Sequence, residues 1–446
     1  MRYKKRVMQT EQAAPYDVAV IGGGPAGATV ATLLAQRGRR VTLFEKATHP
    51  RFHIGESLLP KNIPILERLG VLEAVKAIGV HKPGAEFISP DHDDRQCFLF
   101  SDALDPNPPH SYQVRRSQFD AILLDNARRN GVAVREGCAV SAIAFDDETH
   151  CLTHEAHDGA AECRARFVID ASGRDGLIAR HTQVRQRNKS HNSAAMFAHF
   201  KAVPAAAWET PGNIAIYWFE HGWIWLIPLN GGLTSVGAVC MPDYLKTREG
   251  PLDEFFFQTL RLCPKVWDHL KDAELATPVR AAGNYSYSAT EAFGERYLLL
   301  GDAYAFIDPV FSSGVFLAMS SAELATDAID KCLDRGSRAT KYLRAYQRRI
   351  DRGIARYSWF IYRFNTPAMR TLFMGPRNVL GVRTAVVSLL AGDIYRTGGL
   401  SWRLGIFRLL FGAATLFALK RSRKWENRRR RFRSITMADD EIAERS

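Results

Sequence analysis

A glycine-rich turn near the N-terminus constrains the fold of this chain more than any other feature. The apolar, β-branched run DVAVI at 17–21 is typical of a buried parallel strand, and it leads directly into GGGPAG at 22–27. A helical pattern over 29–37 and a second strand-like run over 40–44, ending at Glu45, follow. This order of strand, turn, helix and strand predicts a Rossmann-type βαβ unit at the start of an α/β fold.

The turn has the G-x-G-x-x-G spacing that binds a dinucleotide. Gly22 permits the tight turn, Gly24 lets the backbone approach a pyrophosphate, and Gly27 allows the helix to pack closely on the strand. With Ala26 they form the predicted loop, and the pyrophosphate would meet the free N–H groups of the helix start. Glu45 lies 18 residues after Gly27, where a carboxylate accepts hydrogen bonds from an adenosine ribose. The motif predicts FAD or NAD without distinguishing them.

Basic charge is concentrated near the C-terminus. Residues 401–433 contain eleven Lys and Arg and one Glu, a net charge of +10. The whole chain carries +13, so the remainder is close to +3. A nucleic-acid-binding protein would combine basic residues with an aromatic or groove-reading module, and the sequence has none. We therefore expect no nucleic-acid partner.

The cysteines indicate neither a metal site nor a disulfide framework. The seven cysteines include no C-x-x-C pair, so we expect no zinc site and no dithiol redox motif. Residues 1–15 are polar and basic and contain no apolar stretch of the kind found in signal peptides. An odd number of cysteines without an export signal predicts a cytoplasmic protein with reduced thiols.

Two later strand-and-turn sequences favour FAD. FVID at 167–170 reads as another buried strand, and YLLL at 297–300 leads into Gly301-Asp302. Here the chain resembles the FAD-dependent monooxygenase and halogenase superfamily, whose G-D motif places an aspartate on the ribityl chain of the flavin. By this resemblance Gly301 and Asp302 bind FAD, and Arg116 corresponds to an arginine near the flavin and pyrophosphate. The alternative for Asp302 is a helix N-cap.

The sequence HGWIWLIP at 221–228 narrows the resemblance. Trp223, Trp225, Ile227 and Pro228 match W-x-W-x-I-P, the signature of flavin-dependent halogenases. Along a strand the two tryptophans point to the same side, and such pairs usually pack in a core. The resemblance implies a further role for them. They would separate the flavin from the organic substrate, so that the oxidant reaches a halide ion instead.

Two segments near the first motif resemble the phenol- and pyrrole-type halogenases. They are FHIGESLLP at 52–60 and HKPGAEF at 81–87. In that pattern Lys82 aligns with the lysine that receives hypohalous acid from the flavin pocket. An ammonium holds this acid by hydrogen bonds and an amine carries the halogen as a chloramine, and a desolvated lysine with a lowered pKa serves better. The alternative is a solvated lysine before a loop proline.

The segment DPVFSSGVFLA at 308–318 reads as a turn into a helix. By the same resemblance Ser313 and Gly314 hold chloride or bromide beside the flavin, because a helix start offers free N–H groups to an anion. The alternative is a loop that only contacts the flavin. Phe311 stands where tryptophan halogenases have a glutamate, so we expect a substrate other than free tryptophan. Phe316 replaces a histidine that is frequent in phenol- and pyrrole-type relatives.

The predicted fold is a Rossmann-type FAD-binding domain with an inserted β-sheet substrate layer (glutathione-reductase-like, PHBH-like) and a helical C-terminal region. Runs of strand-like alternation support the β-sheet layer. The predicted boundaries are 15–190 and 290–330 for the discontinuous FAD-binding domain, 85–112 and 191–289 for the β-sheet substrate domain, and 331–446 for the helical region with its basic tail.

The tail leaves three interpretations open. Residues 404–419 are apolar except for Arg408, and the basic run 420–433 follows. We favour a helix that covers the core, followed by a solvated basic tail. Peripheral contact with the inner face of an anionic membrane is the second interpretation, and docking of an acidic acyl-carrier protein is the third.

Together the motifs predict an FAD-dependent halogenase of secondary metabolism. Reduced flavin from a separate flavin reductase, O₂ and halide would give hypohalous acid, and Lys82 would relay it past Trp223 and Trp225 to an electron-rich aromatic. That substrate would be a phenol, resorcinol or pyrrole, free or bound to a carrier protein. The alternatives are a flavin monooxygenase (hydroxylase), a polyprenyl-type reductase, or a catalytically silent flavin-binding scaffold at a membrane.

Overall fold

The computed structural model of the protein describes residues 14–92, 95–156, 159–336, 340–375 and 378–417. Within them the strands are β1 (Tyr16–Ile21), β2 (Val41–Phe44), β3 (Val80–Lys82), β4 (Gly84–Ile88), β5 (Arg95–Leu99), β6 (Ser111–Gln113), β7 (Ala133–Arg135), β8 (Ala139–Ala144), β9 (His150–Ala156), β10 (Gly159–Asp170), β11 (Arg185–Lys201), β12 (Ile214–Phe219), β13 (Gly222–Leu229), β14 (Leu233–Cys240), β15 (Glu274–Leu275), β16 (Arg280–Ala289), β17 (Phe293–Gly294), β18 (Tyr297–Leu299) and β19 (Ala305–Phe306).

The same residues form α-helices that alternate with the strands early in the chain and follow them at its end. They are α1 (Pro25–Ala35), α2 (Ile63–Leu69), α3 (Leu72–Ile78), α4 (Arg116–Arg129), α5 (Leu177–His181), α6 (Pro242–Leu245), α7 (Leu252–Arg261), α8 (Pro264–Leu270), α9 (Ser313–Arg335), α10 (Thr340–Ile361), α11 (Pro367–Met374), α12 (Val382–Leu390) and α13 (Gly399–Phe417).

The first sheet is the predicted Rossmann-type sheet. Its strands follow the order β17-β18-β10-β1-β2-β7, and β1 pairs in parallel with both β10 and β2. Residues 18–21 are fully buried, as expected for a central parallel strand covered by helices on both faces. Helix α1 begins at Pro25, four residues earlier than its apolar pattern indicated, because proline is favoured in the first turn of a helix. The α/β fold is confirmed.

The second sheet has the order β19-β16-β11-β14-β13-β12-β4-β5, with β15 beside β11. It is antiparallel apart from the parallel pair of β4 and β12. One face packs on α7 and α8, which occupy part of a region whose sequence suggested strands. The amphipathic pattern of α7 explains this difference, since Phe255, Phe256 and Leu260 share one buried side of a helix.

Helices α10 to α13 cover the other face of the second sheet. The cluster formed there joins β13 to the C-terminal region, for example through Trp223 and Phe364 of the turn between α10 and α11, whose ring centroids are 6.4 Å apart. Helix α10 also packs on the first sheet through Leu343, Tyr346 and Ile350. Buried clusters thus cross the three predicted domains, and the predicted boundaries stay a prediction. Of the predicted apolar stretch 404–419, residues 418–419 lie outside the described residues.

Candidate active site

The glycine loop after β1 has the shape that its sequence predicts. Gly22 has a φ of +104°, and a Cβ there would overlap the carbonyl oxygen of Ala171. A Cβ at Gly27 would overlap the carbonyl oxygen of Gly22. Neither position therefore accepts a side chain, which explains both glycines without reference to a ligand.

Gly24 differs, because the space beside it is open. A Cβ on Gly24 would approach no heavy atom closer than 3.7 Å, and that atom is Nη2 of Arg51. Gly24 is the N-cap of α1 and has no capping side chain, so the first N–H groups of the helix face this space. The buried Ala26 follows in the first turn. An open cradle lined by backbone N–H groups suits a pyrophosphate.

Glu45 is buried at the end of β2 and holds the loop. Its carboxylate accepts hydrogen bonds from the backbone N–H of Gly23 (2.7 Å) and of Ala47 (2.9 Å). A carboxylate has about four acceptor positions, so Glu45 retains capacity for a ribose hydroxyl.

Arg51 is a cofactor-site candidate that the sequence analysis missed. Its Nη1 lies 3.4 Å from Asp120 Oδ2, and its Nε lies 3.8 Å from Glu45 Oε1. Nη1 is buried and makes no hydrogen bond to any described residue. A guanidinium beside the open Gly24 fits a pyrophosphate, to which it would donate. The signal in the sequence was an arginine in the loop after β2, six residues beyond Glu45.

Arg116 stands at the start of α4 and is held firmly. It forms a two-pronged salt bridge with Asp120, at 2.7 and 2.9 Å, and donates to the carbonyl of Ile54 at 2.8 Å. The charge of Arg116, together with burial, lowers the pKa of His53 to about 4. His53 is therefore neutral at physiological pH, and Arg51 and Arg116 supply the positive charge of this region.

Asp302 lies in a 3₁₀ turn that spans Gly301–Ala303. The N-cap of that turn is Leu300, so Asp302 is not the N-cap that its sequence allowed. Among the described residues none donates a hydrogen bond to its carboxylate, and burial raises its pKa to about 6. Asp302 is half-buried, and a carboxylate without donors beside open space is suited to the hydroxyls of a ribityl chain.

Gly301 lies where the starts of α1 and α9 meet. A Cβ on Gly301 would lie 3.5 Å from the Cβ of Ala26 and 3.2 Å from the Cα of Ala318. The open cradle, the charged groups of Arg51 and Arg116, and the unpartnered Asp302 together fit FAD, which the residues named above would hold.

Lys82 is fully buried, which excludes the solvated lysine that its sequence allowed. It ends β3 and pairs with Ser111 of β6. Its Nζ donates to Ser57 Oγ and to the carbonyl of Leu58, each at 2.8 Å, and lies 5.2 Å from the centre of the Phe100 ring. No described carboxylate forms an ion pair with it, so burial lowers its pKa to about 7. Lys82 therefore titrates near neutral pH.

The segment 52–58 connects Lys82 to the cofactor side. Glu56 is buried and lies 3.0 Å from Nε2 of His199, which is also buried. The neighbouring Ser57 binds Lys82, while Gly55 lies beside Arg116. The sequence analysis missed the Glu56–His199 pair because 143 residues separate its members. The signal available was the Gly-Glu-Ser sequence within 52–60.

Trp223 and Trp225 project to the same face of β13, as predicted. Their ring centroids are 5.7 Å apart, and Trp225 Nε1 donates to Ser235 Oγ at 3.2 Å. Both rings are buried in one cluster with Phe311 and Phe316 of the 308–318 segment. The two tryptophans are core residues, and that core adjoins the predicted halide loop. Their role as a barrier stays a prediction.

The 308–318 segment contains the start of α9, at Ser313, which is open to an anion. Ser312 has a φ of +56° and is the N-cap of α9 without a capping side chain. The hydroxyl of Ser313 is buried and has no hydrogen-bond partner among the described residues. A Cβ on Gly314 would meet nothing within 4 Å. The segment also touches the 52–58 segment, since a Cβ on Gly55 would lie 3.9 Å from Cγ2 of Val315. An unpartnered hydroxyl and free N–H groups beside open space suit a halide.

Comparison with known proteins places this chain in a family. The family model for an FAD binding domain matches residues 15–356. The 1H-pyrrole-2-carbonyl-[peptidyl-carrier protein] chlorinase of Pseudomonas fluorescens is 32% identical over 85% of this chain and 90% of its own length. The tryptophan 2-halogenase of Chondromyces crocatus is 38% identical over 74% of this chain, which spans 65% of that relative.

Solved structures agree on the fold. A flavoprotein/dehydrogenase from Cytophaga hutchinsonii has a TM-score of 0.83 at 29% identity, over 91% of this chain and 100% of that chain. Solved structures of flavin-dependent halogenases match the chain as well.

Proposed function

The chain belongs to the flavin-dependent halogenases within the FAD-dependent monooxygenase superfamily, and on this basis we propose that it halogenates an electron-rich aromatic ring. It is thus an FAD-dependent oxidoreductase. The proposed ring is a phenol, a resorcinol or a pyrrole, because electrophilic halogen reacts with electron-rich carbon. One observation carries the proposal: Lys82 is buried, is held by Ser57 and Leu58, and has its pKa lowered to about 7.

The cofactor supplies electrons and the chain supplies position. When bound in its reduced form, FAD supplies the two electrons with which O₂ and a halide ion are converted into hypohalous acid and water. The N–H groups at the start of α1 and the guanidinium of Arg51 would hold the pyrophosphate, and the carboxylate of Asp302 would hold the ribityl chain. The N–H groups of Ser313 and Gly314 and the Ser313 hydroxyl would hold chloride or bromide.

Lys82 is proposed to carry the halogen. Above a pH of about 7 its Nζ is a neutral amine, whose lone pair attacks the halogen of hypohalous acid. An N–X bond forms, the O–X bond breaks, and water leaves with the proton of the amine. The ring then takes the halogen, and its displaced proton restores the amine. At lower pH the ammonium would instead hold hypohalous acid by hydrogen bonds, leaving the acid itself to react.

A carrier-bound substrate is supported by one relative. The Pseudomonas fluorescens enzyme is named for a pyrrole on a peptidyl-carrier protein, and this chain spans 90% of it. We propose a carrier-bound pyrrole or phenol as the first substrate to try, a separate flavin reductase as partner, and a cytoplasmic location. Phe311 still argues against free tryptophan by resemblance, although a tryptophan 2-halogenase is among the relatives.

A second function rests on the solved flavoprotein/dehydrogenase, which matches nearly the whole chain. A single-turnover experiment separates the two. Enzyme with chemically reduced FAD is mixed with O₂, bromide or chloride, and phenols or pyrroles, free and carrier-bound. We expect a product with the isotope pattern of the halogen in mass spectrometry. A product heavier by one oxygen would make the protein a hydroxylase, and unaided reduction of its flavin by NAD(P)H would favour a dehydrogenase.

The halide position gives a sharper prediction. Gly314→Ala should raise the halide KM at least about tenfold, because the methyl group enters the space offered to the anion. The melting temperature should stay within about a degree or two, since no atom lies within 4 Å of the new Cβ. Gly405→Ala is the matched control, since it is also in a helix with nothing within 4 Å of its Cβ. An unchanged halide KM in Gly314→Ala would place the halide elsewhere.

A further inference from the structure

Helix α13 exposes an unusual amount of apolar surface. Leu409, Leu416 and Phe417 are 75%, 66% and 94% exposed, and Trp402 and Leu410 are partly exposed as well. Only 17% of its most apolar 18-residue window is buried, and among the described residues it is the one helix long and apolar enough to cross a membrane. Contiguous apolar surface of this kind marks a binding site for a protein or a lipid surface.

The opposite side of α13 fixes the helix to the enzyme. Leu400, Leu404 and Phe407, spaced by four and three residues, are buried in the cluster of the C-terminal helices. The ring of Phe407 lies 5.0 Å from Phe360 and 6.1 Å from Trp359 of α10. The sequence favoured a helix that covers the core. That interpretation explains the buried Leu400, Leu404 and Phe407, but it does not explain the exposed apolar residues on the outer side of α13. These contacts hold the first half of α13 against the protein, and the partly buried Phe411 extends them, with its ring 5.4 Å from Trp359. A helix held in this way presents its outer face sideways, so it lies along a surface instead of spanning a bilayer.

The two arginines of α13 lie over aromatic rings. Arg403 lies over Trp402 at 4.4 Å and Arg408 lies over Trp359 at 5.1 Å. Neither forms an ion pair with a described carboxylate, and α13 contains no Asp or Glu. Arg408 is exposed, whereas Arg403 is half-buried and donates to the carbonyl of Gly399 at 2.9 Å. An exposed arginine whose stem covers an aromatic ring is typical of helices at a lipid interface.

The exposed apolar surface and the positive charge of α13 both continue in segments next to it. Val379 and Leu380 are 54% and 62% exposed, and the Gly381 that follows them lies beside Arg403. In the sequence, residues 420–433 begin three positions after the last residue of α13 and contain nine Lys and Arg against one Glu. Each basic residue near an anionic bilayer adds to the attraction between the protein and the bilayer.

We propose that the outer face of α13, with Val379 and Leu380, docks the enzyme on an anionic lipid bilayer. Leucine, phenylalanine and tryptophan would enter the boundary of the acyl chains while the arginines of α13 meet lipid phosphates. A second copy of the chain fits less well, because a twofold contact would bring equivalent arginines face to face. An acidic carrier protein would neutralise the arginines but would leave the apolar side chains without partners.

Vesicle co-sedimentation of the full chain tests this proposal. We expect binding to vesicles of phosphatidylcholine mixed with phosphatidylglycerol, weak binding to phosphatidylcholine alone, and release at high salt. The uncharged double variant Leu409→Gln/Leu416→Gln should bind at least about tenfold more weakly. Leu262→Gln is the matched control, because Leu262 is 50% exposed but lies on the α7–α8 side of the second sheet. This control variant should bind vesicles as the wild type does.

Three results would overturn the proposal. The first is equal binding by the double variant and the wild type, which would assign any membrane contact to the basic run alone. The second is no binding of the wild type to anionic vesicles. The third is a wild-type dimer in light scattering that the double variant converts to a monomer while neither binds vesicles, which would make α13 an interface between two copies.

Discussion

A Lys82→Met variant is expected to lose roughly 10²–10⁴-fold in halogenation rate while it still oxidises reduced flavin at the rate of the wild type. Methionine fills a similar volume and stays buried, but it has no nitrogen to accept or hold halogen. The flavin reaction should persist because Lys82 contacts Ser57, Leu58 and Phe100 and none of the residues assigned to FAD. Single-turnover mass spectrometry measures the product, and flavin absorbance follows the oxidation.

Lys46→Met is the matched control for this variant. The Lys46 side chain is 64% exposed and pairs with Asp175, so its loss should leave halogenation unchanged. Both variants should keep their bound flavin, which would show that the fold survives. Full halogenating activity in Lys82→Met would refute the relay and would leave hypohalous acid to diffuse unaided.

The pH dependence of the rate distinguishes the two forms of Lys82. Burial lowers its pKa to about 7, so the amine is mostly neutral above that pH and mostly charged below it. If the neutral amine carries the halogen, the rate should rise as the pH increases through about 7. The small residual rate of Lys82→Met should lack this step. A wild-type rate that falls over the same range would favour the ammonium as a hydrogen-bond donor instead.

The local parts of this site were predictable from sequence because short-range rules determine them. The turn at 22–27 needs glycine for reasons that a strand and a helix impose directly, and the structure places Gly22 and Gly27 in tight contact with backbone atoms. Alternation along β13 was enough to place Trp223 and Trp225 on one face. Such features depend on neighbours within a few residues.

The remaining parts depend on contacts between distant segments. Lys82 is buried because Ser57, Leu58 and Phe100 enclose it. The sequence around residue 82 contains no pattern that predicts these contacts. The Glu56–His199 pair joins a loop to β11 across 143 residues. The apolar pattern of 404–417 was visible in the sequence, but which side of α13 stays exposed is decided by its packing on α10.

Substitution of two glycines of the 22–27 turn should impair FAD binding by two different routes. In Gly27→Ala the new Cβ overlaps the carbonyl oxygen of Gly22, so α1 must move away from β1. Overpacking of this kind costs about 1–3 kcal/mol or more, and we expect a lower melting temperature together with loss of the cofactor. Flavin fluorescence titration and thermal denaturation of the cofactor-free protein measure the two effects.

Gly24→Ala should affect the cofactor alone. Gly24 has a φ of −72°, which alanine adopts readily, and its Cβ would come no closer than 3.7 Å to Arg51. The cofactor-free variant should therefore melt as the wild type does. A pyrophosphate seated on the first N–H groups of α1 would meet the methyl group, and each charge-assisted hydrogen bond lost lowers affinity by roughly one to two orders of magnitude. If Gly24→Ala binds FAD with unchanged affinity, the pyrophosphate does not pass over this loop. The pyrophosphate would then have to be assigned to residues other than Gly24, Ala26 and Arg51, although the family membership would stand.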